Sequence, residues 1–194
     1  TLRLAVGADM DGDFADISGG VDEQTLTEAA RFAEGQLLPL DRKGDRTGAR
    51  FADGVVTTVP GWRDAYQGWR DGGWNAISAP AEYGGLALPS LLAAACTEIW
   101  NATNISFALC PLLTLGAIEA LEAHASAALK ETYLHRIVSG EWPATMNLTE
   151  PQAGSDLALL RTRATRNADG SYRLNGEKIY ITYGEHDLSD NIVH

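Results

Sequence analysis

Met146-Asn147-Leu148-Thr149-Glu150-Pro151-Gln152-Ala153-Gly154-Ser155-Asp156 marks the point where this chain changes character. An extended approach runs into a polar turn holding Thr, Ala, Gly and Ser. Small residues in such a turn let a ligand approach the backbone and meet its N–H groups. The same composition also suits a plain turn, because Glu-Pro and Gly-Ser-Asp are common turn chemistry. Downstream, short alternating segments predict antiparallel strands over 143–194. Leu160–Arg166 alternates, Asn167-Ala168-Asp169-Gly170 reads as a turn, and Asn175-Gly176 reads as a hairpin turn leading into a strand over Lys178–Thr182. Alternation there places Ile179 and Ile181 on one face, Tyr180 and Thr182 on the other. The Tyr/Thr face makes a wall for a planar ring system, or a sheet face with one exposed tyrosine.

Upstream of Gly140 the period is helical. Asp22–Leu38 carries Leu26, Ala30, Ala33 and Leu37 on one face, and Pro39 is expected to end it. Asp41–Asp53, with its glycines, reads as an exposed loop. Pro60–Arg70 forms a second helix whose Trp62, Tyr66 and Trp69 stripe is read as core rather than as a ligand box. Further amphipathic helices are expected over Pro89–Ala102, Phe107–Ala123 and Ala127–Ser139, packing together as a bundle. Helices come first and strands follow, with no βαβ alternation and no dinucleotide or P-loop glycine pattern. The fold class expected is therefore α+β: an N-terminal all-α helical bundle followed by the start of an antiparallel β domain. The divisions are a poorly defined segment 1–20, a helical domain 21–142 and a truncated β domain 143–194.

Composition is that of a globular chain, 45% hydrophobic and 21% charged, with a net charge of −11. So acidic a surface is a poor general binder of nucleic acid or anionic lipid. No apolar run is long enough to span a bilayer and no signal peptide is visible, which with Cys96 and Cys110 as buried thiols suggests a reducing, cytoplasmic setting. Asp9, Asp11 and Asp13 resemble the opening of a calcium loop, but Phe14 and Gly20 stand where that loop needs Gly and Glu. His186, in Gly184-Glu185-His186-Asp187, is read as part of a solvated turn ahead of zinc or acid–base work. The chain opens on Thr1 and stops within a strand-like Asn191-Ile192-Val193-His194, as a piece of a longer protein would.

Taken together, Thr149-Glu150-Pro151 through Gly154-Ser155-Asp156, then Asn175-Gly176-Glu177-Lys178 and Ile181-Thr182, resemble the acyl-CoA dehydrogenase family of flavoproteins. Glu82-Tyr83-Gly84-Gly85, Ser106–Pro111, Leu134–Gly140 and Gly184–Asp187 resemble a bacterial subgroup that includes long-chain-type and 3-methylmercaptopropionyl-CoA-type dehydrogenases. The resemblance covers nearly the whole chain. It implies FAD as cofactor, with Met146, Asn147, Leu148 and Thr149 against the flavin and their backbone on the pyrimidine edge of its ring. It places Gly154 and Ser155 in the same turn, Ser155 at the FAD pyrophosphate or the pantetheine of the substrate, and Tyr180, Ile181 and Thr182 beside the ring, with the Thr182 hydroxyl at flavin N5. Met146 stands where an aromatic is common, Tyr180 where Trp is common, and Asn147 where a small residue is commoner.

The reaction implied is α,β-dehydrogenation of an acyl-CoA thioester, with fatty acid β-oxidation as its setting. A carboxylate removes the α-proton while the β-hydrogen passes as hydride to the flavin. Charge builds on the thioester oxygen and the reduced ring, so N–H and hydroxyl donors belong there. The family's base is a Glu in a later domain, beyond His194, so no catalytic residue is assigned in this chain; Glu150 is read as positional. An electron-transferring flavoprotein is the implied acceptor and a homodimer or homotetramer the implied assembly. The rival readings are an acyl-CoA oxidase or flavin monooxygenase of the same fold, or a non-catalytic helical interaction module.

Overall fold

The computed structural model describes residues 20–194. The Asp9–Asp13 cluster and residues 1–19 lie outside the described residues. Helix α1, Val21–Phe32, carries Asp22 and Glu23 in its first turn, where carboxylates offset the helix dipole. Pro39 does not end it. A π turn, Ala33–Leu37, widens the helix, and α2, Leu38–Thr47, continues with Pro39 in its first turn, where a missing N–H costs little. The expected loop 41–53 is therefore helical to Thr47 and then turns into a hairpin of β1, Arg50–Ala52, and β2, Val55–Thr57. Its Asp53-Gly54 turn has φ of 53° and 80°, the paired left-handed conformation that suits a two-residue hairpin loop.

Helix α3, Trp62–Asp71, places the aromatic stripe in the core as read: Trp62, Tyr66 and Trp69 are 3%, 1% and 1% exposed. Trp69 meets Trp100 edge-on at 4.4 Å and Phe107 at 6.1 Å. The polar atoms find partners, as buried Tyr and Trp require: Tyr66 Oη donates to the Gly140 carbonyl at 3.0 Å and Trp69 Nε1 to Asn75 Oδ1 at 2.7 Å.

The central helix α4, Ser90–His124, runs 35 residues but breaks at Asn104, with φ −156° and ψ 86°. That break separates the two helices expected from the sequence. Asn104 is 1% exposed and serves both sides of it. Its Oδ1 accepts the Phe107 N–H at 3.0 Å, capping the second half, and its Nδ2 donates to the Leu37 carbonyl of the π turn at 3.2 Å. By length and composition α4 could cross a membrane. Here Leu92, Cys96, Trp100, Phe107, Cys110 and Ile118 are buried in the helical core. Helix α5, Ala127–Val138, packs Leu134, Ile137 and Val138 with Ile118 and Ala144 in a second cluster.

After Gly140 regular structure is sparse. Strands β3, Arg163–Arg166, and β4, Tyr172–Asn175, pair from Arg163–Asn175 to Arg166–Tyr172, and both are exposed throughout. The turn between them is the predicted Asn167–Gly170, closed by Asn167 N–H on the Ser171 carbonyl at 2.8 Å. The second hairpin is not formed. Asn175-Gly176 is no turn, and Lys178–Thr182 is not a strand: Tyr180 has φ +57°, so the Ile/Ile against Tyr/Thr alternation fails. The cause is competition for partners. Lys178 and Ile179 bond back to residues 148–150, and Gly176 passes so close to Thr162 that a Cβ there would strike its side chain. The terminal segment does pair: Val193 bridges Ala144 in parallel fashion.

Candidate functional site

Residues 143–150 enter the site from the helical bundle. Pro143, Ala144 and Thr145 are buried, Met146 emerges at 60% exposure with Asn147, and Glu150 dives back to 3%. Among the described residues, the N–H groups of Met146, Asn147, Leu148 and Thr149 donate to no protein acceptor, and the Thr149 and Thr182 hydroxyls have no protein partner. Two of the carbonyls are committed. Leu148 O accepts from Lys178 Nζ at 2.8 Å and Thr149 O from the Ile179 N–H at 2.9 Å. The Thr145 hydroxyl donates to the Thr182 carbonyl at 2.6 Å. These bonds lay Lys178–Thr182 beside Thr145–Glu150, so the two segments singled out in the sequence are neighbours.

Glu150 organises the turn. Its Oε1 accepts from Lys178 Nζ at 2.8 Å and the Thr162 N–H at 2.9 Å; its Oε2 accepts from the Arg161 N–H at 2.8 Å and Gln152 Nε2 at 2.6 Å. Four donors around one carboxylate, Lys178 the strongest, followed by Thr162 and Arg161, hold its pKa far below the usual carboxylate range. A group so stabilised as the anion and so enclosed is structural, not a base. Sequence reading passed over Lys178 and Gln152. A lysine 28 residues from its carboxylate leaves no local signal.

The remaining expected residues spread around this centre. Gly154 and Ser155 are exposed, just past the turn closed by the paired Glu150 and Ala153 backbone bonds. Tyr180 is 88% exposed with a left-handed backbone, while Ile181 and Thr182 are half-buried. Gly184–Asp187 is not a solvated turn. His186 is 5% exposed, and Asp187 Oδ1 accepts from the Thr58 N–H at 3.0 Å and the Thr58 hydroxyl at 2.6 Å. Tyr183 Oη takes the Trp62 indole N–H at 3.0 Å and donates to the Ser106 carbonyl at 2.6 Å. His186 Nδ1 accepts the Leu188 N–H at 3.2 Å, so the neutral ring carries its proton on Nε2, which is buried and unpartnered. Burial holds this imidazole below its ordinary pKa, against the opposing pull of Glu185 and Asp187. A cleft of about 300 Å³ lies here, between Trp62, Thr58, Ser106, Tyr183 and His186, and none of Met146–Thr149 lines it.

Residues 21–141 match the family model of the acyl-CoA dehydrogenase N-terminal domain, and residues 145–192 match that of the middle domain. The chain belongs to the acyl-CoA dehydrogenase family. It is 51% identical over 169 residues to 3-methylmercaptopropionyl-CoA dehydrogenase of Ruegeria pomeroyi, covering 87% of this chain and 29% of that protein. A butyryl-CoA dehydrogenase of Syntrophomonas wolfei is 33% identical over 162 residues, 81% of this chain and 26% of that one. The chain thus spans under a third of these curated relatives. In structure it resembles butyryl-CoA dehydrogenase of Megasphaera elsdenii, with a TM-score of 0.73, 26% identity, and 90% and 43% of the two chains covered. A chain from a structure of the electron transferring flavoprotein of Acidaminococcus fermentans follows closely, with a TM-score of 0.72, 27% identity, and 87% and 42% covered. The order of an α-helical bundle followed by a β segment is that of the acyl-CoA dehydrogenase fold.

Proposed function

We propose that this chain forms the helical domain, residues 21–142, and the opening of the middle β domain, from 143, of an FAD-dependent acyl-CoA dehydrogenase. The observation that carries the reading is the run of four unpartnered N–H donors from Met146 to Thr149, the last of them fixed by the bond on the Leu148 carbonyl. Such a run suits the pyrimidine edge of a flavin, which presents carbonyl oxygens and ring nitrogens to hydrogen-bond donors. Thr149 and Thr182 add two free hydroxyls. Bound FAD supplies an acceptor for a hydride. The N–H donors and hydroxyls would steady the charge that accumulates as the hydride arrives. Ser155 remains free to meet a phosphate or the pantetheine arm of an acyl-CoA. Glu150 does not take the α-proton, because four donors occupy its oxygens and leave them little basicity; the family resemblance gives that task to a Glu of a later domain. The 51% identity to a 3-methylmercaptopropionyl-CoA dehydrogenase supports a dehydrogenase acting on an acyl-CoA thioester over the oxidase alternative.

The same reading places the enzyme in the cytoplasm as a homodimer or homotetramer that passes electrons to an electron-transferring flavoprotein, and gives the isolated 194 residues weak FAD binding at most. The test is anaerobic mixing of the full-length, flavin-loaded protein with acyl-CoA thioesters. Bleaching of the visible flavin band, with slow reoxidation in air and fast reoxidation by an electron-transferring flavoprotein, is the expected result. Fast reoxidation by oxygen would make it an oxidase, and no bleaching with any acyl-CoA would remove the assignment.

A further inference from the structure

Lys178 does more than neutralise Glu150. Its ammonium is largely enclosed, with 21% side-chain exposure, and sits between the Leu148 carbonyl and Glu150 Oε1, 2.8 Å from each. The peptide bonds of the described chain are all trans, and a trans peptide is planar with its C=O and N–H pointing in opposite directions. Fixing the Leu148 carbonyl on Lys178 therefore fixes the Thr149 N–H of the same peptide unit, aimed away from the buried Glu150 cluster. That N–H has no protein acceptor. The next peptide obeys the same rule: the Thr149 carbonyl takes the Ile179 N–H, and the Glu150 N–H points the other way to the Ala153 carbonyl at 2.8 Å. A cation on the carbonyl end of a peptide also polarises it and strengthens its N–H as a donor.

We propose that Lys178 is a positioning residue that aims and polarises the Thr149 N–H, through the Leu148 carbonyl, as the key backbone donor of the flavin site. Glu150 holds the lysine, and the Arg161 and Thr162 N–H groups hold Glu150. The loop leading to β3 is thereby tied to the direction of a single N–H. This rests on the FAD reading above for its purpose, but not for its geometry.

The test compares wild type, Lys178→Met and Lys178→Arg in the full-length protein. Lys178→Met should weaken FAD binding by roughly tenfold or more, the scale set by one well-aimed donor, and shift the visible band of whatever flavin is bound. Lys178→Arg, which keeps a cation near the carbonyl, should restore most of the affinity and the band position. In flavin-free protein labelled with 15N-threonine, the Thr149 amide proton should move upfield in the Met variant and much less in the Arg variant. Leu134→Ala, in the second helical cluster, serves as the control for lost stability alone. Unchanged affinity, band and Thr149 resonance in Lys178→Met would overturn the proposal, as would an equal loss of FAD in Leu134→Ala. If Lys178→Met does not fold, an Arg variant with a wild-type Thr149 resonance but tenfold weaker FAD binding would also overturn it. A wild-type protein that takes up no FAD would remove the function instead, while the Thr149 resonance would still decide the lysine's role.

Discussion

The helical half and the segment after Gly140 are held together by different forces. In the first, Trp62, Trp69, Trp100 and Phe107 interlock edge-on beside the buried Tyr66 and exclude water. In the second, Ala144 and Leu188 join the helical clusters, but β3 and β4 are exposed along their whole length, and the order of 146–162 comes from Glu150, Lys178 and a few backbone bonds. Apolar packing is tolerant of small shifts and hard to switch off. A polar knot depends on direction and on protonation state. The region proposed for the flavin is thus the one whose shape is set by aim rather than by bulk.

The sharpest test of this contrast is Trp69→Ala. Removing a fully buried indole from the aromatic cluster should cost about 3–5 kcal/mol in urea unfolding. A loss under about 1 kcal/mol would mean the cluster is not the anchor. Next comes Asn104→Ala, which strips the cap from the second half of α4 and leaves the Leu37 carbonyl buried without that donor. The expected loss is about 1–3 kcal/mol, read by the same denaturation. Thr58→Val, which removes a hydroxyl from Asp187, should cost only about 1 kcal/mol while loosening Tyr183–Leu188 in hydrogen exchange.

Acid separates the halves without mutation. Glu150 titrates lower folded than unfolded, so the stability it lends is complete above its ordinary value of 4.5 and drains away as pH falls below that. His186 is likewise held below its ordinary 6.5, kept neutral by burial, and its contribution fades as pH drops below that value. Hydrogen exchange followed from neutral pH downward should therefore show residues 183–188 loosening first and 146–162 next, with α3 and α4 protected throughout. Simultaneous loss everywhere would deny the contrast. The smallest effect concerns the thiols: burial pushes Cys96 up to about 11 and Cys110 up to about 12. Both should resist a thiol reagent at about pH 8 in the native protein and react promptly in urea.

Much of the helical half was readable because its signals are local. Trp62, Tyr66 and Trp69 recur at helical spacing, and the interruption between Ala102 and Phe107 anticipated the break at Asn104. Pro39 misled because a π turn re-phased the helix ahead of it, a choice made by packing against α4 and by Asn104 reaching the Leu37 carbonyl. Asp53-Gly54 carried a hairpin signal that the surrounding polar residues masked. Asn175-Gly176 carried the same signal and did not turn.

By itself, the order of residues determined the class of fold and the aromatic core, since period and turn chemistry act within a few residues of one another. Tertiary structure alone decided that Lys178 turns to Leu148 and Glu150 instead of joining a strand, that Asp187 and His186 are drawn into the helical domain, and that Tyr180 turns out to solvent. Those outcomes depend on which donors and acceptors arrive side by side after the chain has closed loops of 28 to 129 residues. No window of sequence holds both partners of such a bond.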